Sequence, residues 1–200
     1  QKDSPKSKGL NAIASEISMA RYATRLVLLP TALEAAVNQS GTLSSQSHPQ
    51  TFQFLGEVLA WSMVFYYPTE HAAYLHWKAP RWLAKERSAE IWSAWSCRAW
   101  LAYIVAEMTQ GMLQWNELLK DKLEEPKEKE GDVVPTVVPS LETVAALRQV
   151  KLQLSRNALF LLPAIQYSLP NWDTNPWLPP DLISFLFWLE SIVCIYQASV

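Results

Sequence analysis

The final stretch, Leu182–Val200 (LISFLFWLESIVCIYQASV), limits this chain most: its 19 residues carry one charge, Glu190, and ten of them are Leu, Ile, Phe or Val. As a helix rising about 1.5 Å per residue it reaches roughly 28 Å, close to the hydrocarbon thickness of a bilayer. Trp177 stands before it and Tyr196 near its end, and amphipathic rings favour the two membrane interfaces. Pro179 and Pro180 suit a loop running into a first helical turn, where a missing N–H costs little. Glu190 supports the other reading, a helix buried in a soluble core, because a carboxylate at mid-bilayer is costly. The apolar neighbours offset that cost, and the length favours a span.

Half of the chain is hydrophobic, only 18% is charged, and ten residues are Trp, so the surface is short of the groups that keep a globule soluble. A mean hydropathy of −0.03 argues equally against a chain built mostly of spans. Both fit an all-α, membrane-associated helical protein with amphipathic helices and a C-terminal transmembrane helix. The net charge of −2 gives no basic field for nucleic acid. Cys97 and Cys194 sit in apolar segments without ligand spacing and read as buried reduced thiols. The chain opens on Gln1, and QKDSPKSKG has no apolar signal-peptide core, as expected of a fragment whose own start is missing.

Three parts follow from composition: a front half, 1–120, of amphipathic and apolar helices; a charged, Pro-containing linker, 121–140; and a helical tail, 141–200, ending in the anchor. In Asn11–Leu29, Ile13, Ile17, Ala20, Thr24, Val27 and Leu28 recur at helical steps and share a face. Arg21 and Arg25 form a basic stripe beside it, and Pro30 should end or kink the helix. Such a face can dock on a neighbouring helix or lie in a membrane interface. Asn38–Gln50 reads as a polar loop in which His48 is solvated. Phe52–Tyr67 is an apolar helix carrying Glu57, too short to cross a bilayer comfortably. Pro68 then reads as a break or first-turn residue, placing Glu70 and His71 at a helix start or the membrane surface. Trp77–Arg87 interleaves basic residues with Trp77 and Trp82, which suits a headgroup region or an ordinary solvated loop.

Ile91–Val105 is apolar on nearly every side with Arg98 in its middle, and the helix can run on to about Lys120. Trp92, Trp95, Ala99 and Ala102 share a face, Arg98 can stack on Trp95, and a buried charge there asks for Glu57 or Glu190 as partner. Glu57, Arg98 and Glu190 are the candidate intramembrane polar groups. Leu141–Leu162 resumes the helical period, Pro163 interrupts the apolar run after it, and Asn171–Pro176 is a turn.

Chemistry is hard to place. Glu70, His71 and His76 lack the HExxH spacing that would hold a metal, and adjacent helical residues do not face each other. No phosphate-binding Gly loop, nucleophile elbow, CxxC or calcium loop occurs. The expectation is a protein without catalytic residues, metal or cofactor.

Four places resemble the peroxin eleven family of peroxisomal membrane proteins, closest to its gamma/C-type branch. Ala20–Leu26 (ARYATRL) is similar to the family's amphipathic segment with arginines four apart. Tyr66, Tyr67, Pro68, Glu70 and His71 are similar to the branch's Tyr-Tyr-Pro-x-Glu-His stretch. Arg148–Pro170 resembles the helix before the family's last span, and Leu182–Gln197 its C-terminal anchor. The last span departs from the family's Gly- and Ser-rich pattern by its bulky Phe187, Trp188 and Leu189. The resemblance implies a non-enzymatic role at the peroxisomal membrane: proliferation and division through remodelling and elongation before fission. It also implies partners: membrane lipid, further copies or paralogues in an oligomer, and the fission machinery.

On that reading the membrane-binding residues are Ile13, Ile17, Arg21, Arg25, Leu28, Trp77, Trp82, Trp177 and Trp188. A membrane channel using the intramembrane charges, and a soluble all-α interaction domain, are the competing readings.

Overall fold

A computed structural model describes residues 5–38, 47–78, 88–124 and 141–199. They form α1 (Pro5–Arg25), a 3₁₀ turn (Leu26–Leu28), α2 (Leu29–Asn38), α3 (Pro49–Lys78), α4 (Ser88–Glu124), α5 (Leu141–Ser168) and α6 (Pro180–Ala198), with no strand among the described residues. Helices α3, α4 and α5 pack side by side, α1 and α2 lie on α3, and α6 lies on α5.

Prolines explain where some helices stop and expose where the sequence reading went wrong. Pro30 cannot donate to the carbonyl four residues back, and the chain tightens into the 3₁₀ turn before restarting as α2. Pro179 caps α6 in an extended conformation and Pro180 occupies its first turn, as expected. Asn171, at φ 64°, takes the left-handed conformation in the expected turn before α6.

Pro68 and Pro163, in contrast, do not break their helices: both lie inside, in α3 and α5. Each forfeits one ladder bond, and the long packed interfaces of α3 with α4 and α4 with α5 hold the helices together regardless. The Thr69 hydroxyl adds bonds of 2.7 and 3.0 Å to the carbonyls of Phe65 and Tyr66 around the first proline. Glu70 and His71 therefore stand deep in a 30-residue helix, not at a helix start. Helix α4 does continue past Glu107, to Glu124; the rest of the expected linker lies outside the described residues.

The interior is built from small and polar residues. Ala73, Ala94, Ala106 and Ala164 are buried alongside Ser62, Ser96, Gln110, Asn157 and Gln166, while the largest fully buried side chains are Phe52, Ile104 and Pro163. Two of the buried polar groups pair across elements: Asn157 donates to Glu107 at 2.7 Å, and Gln166 accepts the Leu178 N–H at 2.7 Å. Gly111 lets α4 approach α5 closely, since a Cβ there would stand 3.0 Å from a Leu154 methyl. The bulky apolar residues are outside: Phe65, Trp95, Phe185, Trp188 and Ile195 are each more than half exposed. Water-soluble bundles sort the other way.

Candidate membrane interface and interhelical cavity

On α1 the expected apolar face turns away from the bundle. Ile13 and Ile17 are 59% and 58% exposed, and Ala20, Thr24, Val27 and Leu28 are exposed with them. Nothing within the described residues covers the stripe, so its alternative role as a packing face inside this chain is not used.

Helical geometry explains the roll. At about 100° per residue, Arg25 projects roughly 110° from the centre of that stripe. Its guanidinium reaches into the protein, where Nη1 donates to Glu70 Oε1 and to the Tyr66 hydroxyl, while the Tyr66 hydroxyl donates to the same Oε1 at 2.5 Å. Fixing Arg25 against α3 leaves the stripe facing out. Only Arg21 of the expected basic pair stays at the surface, because Arg25 has become a structural group.

Helix α6 repeats the pattern. Phe185, Trp188, Ile192 and Ile195 recur at three and four and stand exposed, whereas Ile183 and Glu190 face inward. It is the one described helix long and apolar enough to cross a membrane, and only 11% of its window is buried inside the protein. A soluble core helix would be mostly covered, so the buried-core reading of this stretch fails. Cys194 follows from the same geometry: it is exposed, against the expectation of a buried thiol. Cys97 is half-buried, and burial pushes its thiol up to about 12. Trp177, before the helix, is 52% exposed.

A third apolar surface lies between α3 and α4. Trp61 and Phe65 face Trp92, Trp95, Ala99 and Ala102 across an open groove of about 700 Å³, which confirms the shared face expected on α4. Arg98 stacks on Trp95 at 4.5 Å, as expected. Its hydrogen-bond partner is not a glutamate: Nε donates to the Ser168 carbonyl at 3.0 Å. Glu190 belongs instead to Arg156, at 2.8 Å, and Arg156 also donates to Gln197 at 3.2 Å. The last carbonyls of α5 have no donor within the helix, which gives Arg98 its acceptor. Glu57 is half-buried.

Of the remaining residues, Trp77 is half-buried and donates to Glu90 at 3.3 Å, while Trp82 lies outside the described residues. The Tyr-Tyr-Pro-x-Glu-His stretch divides between two sides of α3. Tyr66 and Glu70 point inward, Tyr67 meets Tyr66 edge-on at 5.5 Å, and Pro68 is exposed. His71 Nδ1 is buried without a partner. No three His, Cys, Asp or Glu side chains come together as a metal site among the described residues.

Behind Arg25 and Glu70 opens a cavity of about 590 Å³ walled by α1, α3, α4, α5 and the α6 segment. Burial raises the Glu70 carboxyl above its ordinary value, although Tyr66 and Arg25 pull it the other way; burial and the Glu70 charge both raise the Tyr66 hydroxyl. Sequence reading missed this centre because its members come from distant positions. The one legible signal was Tyr66 and Glu70 spaced one turn apart.

A family model described as peroxisomal biogenesis factor 11 (PEX11) matches residues 1–197. No curated protein and no solved structure matches the chain.

Proposed function

The chain belongs to the peroxisomal biogenesis factor 11 family, and on that premise we propose that it is a gamma/C-type member that promotes peroxisome proliferation and division by shaping the peroxisomal membrane. The inverted sorting of side chains carries this reading: small and polar inside, Trp, Phe and Ile outside. The protein saves little free energy by burying apolar area within itself, so its large apolar surface is stabilised by lipid. Helix α6 supplies the anchor. Helix α1, held with Ile13 and Ile17 outward and Arg21 beside them, supplies a wedge. A helix sunk about 5–10 Å into one leaflet enlarges that leaflet and favours curvature. Copies or paralogues gathered in one patch, with the fission machinery recruited to it, would add their wedges before scission.

Reconstituting the full chain with liposomes containing anionic lipid tests the reading. Narrow tubules should form, and Ile13→Asp with Ile17→Asp should abolish them while α6 keeps the protein in the alkali-resistant membrane fraction. Both residues are exposed, so the fold should be unaffected. Tubules that persist in the double variant, or release of the unaltered protein by alkaline carbonate, would refute it.

A further inference from the structure

The cavity between α1 and α6 is not needed to wedge or anchor, yet it is built like a site. Its volume of about 590 Å³ falls inside the range of roughly 300–1,000 Å³ usual for small-molecule pockets. One of its buried polar atoms lacks a hydrogen-bond partner. Glu70 is 4% exposed, and its Oε2 is buried with no hydrogen bond, since Arg25 and Tyr66 both use Oε1. Arg21 also lines the cavity and forms no ion pair among the described residues. Trp100, Phe160 and Phe187 form a connected aromatic wall, with centroids 5.2 and 5.8 Å apart.

We propose that the cavity binds a phosphoethanolamine headgroup, its phosphate on Arg21, its ammonium on Glu70 Oε2, and its glycerol and first acyl carbons along the aromatic wall. The chemistry excludes close relatives. A purely anionic headgroup leaves Oε2 without a donor, and a fatty acid brings a second carboxylate towards Glu70 and Glu190. Choline carries charge but no N–H to donate. Burial raises the Glu70 carboxyl even with Arg25 and Arg21 pulling it down, and an ammonium donating to Oε2 would offset that burial. Residues of both the proposed wedge, α1, and the proposed anchor, α6, line the cavity, which on the membrane reading makes a lipid the molecule within reach. The site stands on the cavity, and the lipid identity of its ligand rests on the membrane reading above.

Native mass spectrometry of the full chain in detergent provides the test, with dihexanoyl phosphatidylethanolamine as probe. Dihexanoyl phosphatidylcholine and free phosphoethanolamine form the comparison arms. One phosphatidylethanolamine per chain should be retained, about tenfold more tightly than phosphatidylcholine, the difference expected of one charge-assisted hydrogen bond. Free phosphoethanolamine should bind more weakly than the lipid. Arg21 is exposed, so Arg21→Gln keeps the fold; it should weaken both lipids by a similar factor. Equal retention of the two lipids, an Arg21→Gln variant that binds like the parent, or no saturable adduct would each overturn the proposal. Free phosphoethanolamine binding as tightly as the lipid would overturn the lipid identity. Liposome tubulation is scored separately, so either result leaves the remodelling reading to its own test.

Discussion

Removing Arg25 should loosen α1 without melting the bundle, and the structure sets the size of the effect. Arg25→Met leaves the Glu70 carboxylate, whose side chain is 6% exposed, with the Tyr66 hydroxyl as its remaining hydrogen-bond donor and Arg21 as a weaker, unbonded charge. Stranding one member of a fully buried pair costs about 3–5 kcal/mol. Arg25 keeps 29% of its side chain in contact with solvent, so screening reduces the figure to about 2 kcal/mol. Opening α1 lets water reach Glu70 and relieves that cost, so the penalty appears as easier local opening. Hydrogen exchange of the amides in Pro5–Arg25 should accelerate about 30-fold at 1.4 kcal/mol per decade, while α3, α4 and α5 stay protected. Adding Glu70→Gln removes the stranded charge yet still accepts the Tyr66 proton. That double variant should return to within about fivefold of the parent, because a buried pair replaced as a unit is often neutral. Unchanged exchange in Arg25→Met would show that the pair does not hold α1. A double variant as fast as the single would show that the stranded carboxylate is not the cause.

Three further outcomes follow. Gly111→Leu should separate α4 from α5 and lower stability by about 1–3 kcal/mol, whereas Gly111→Ala should be nearly neutral, its helix-propensity gain offsetting a contact at 3.0 Å; thermal unfolding in detergent measures both. Burial raises Glu70, so its contribution to stability is full below the ordinary carboxylate value and is lost as the pH rises through the raised one. Glu70→Gln should therefore flatten the fall of Tm with rising pH, and parallel curves would refute this. Cys194, exposed on α6, should react with a water-soluble maleimide in detergent but be shielded in a bilayer. Cys97, with its thiol raised to about 12, should react slowly in both.

Local chemistry made much of this protein legible before any fold was known. A mostly apolar run of 19 residues ending at Val200 determines a helix that can span, and the helical spacing of Ile13, Ile17 and Thr24 determines a one-sided α1, because both depend only on neighbours along the chain. Trp95 and Arg98, one turn apart, could be paired for the same reason. What the sequence could not decide is which way those faces turn. Pro68 and Pro163 read as breaks by local rule, and only the long interfaces with α4 repay the lost hydrogen bonds. Arg25 read as a surface charge until α3 brought Glu70 to it across 45 residues. Glu190 likewise became Arg156's partner only when α5 lay beside α6. A charge seeks the nearest opposite charge in space, and that distance exists only after the helices have packed.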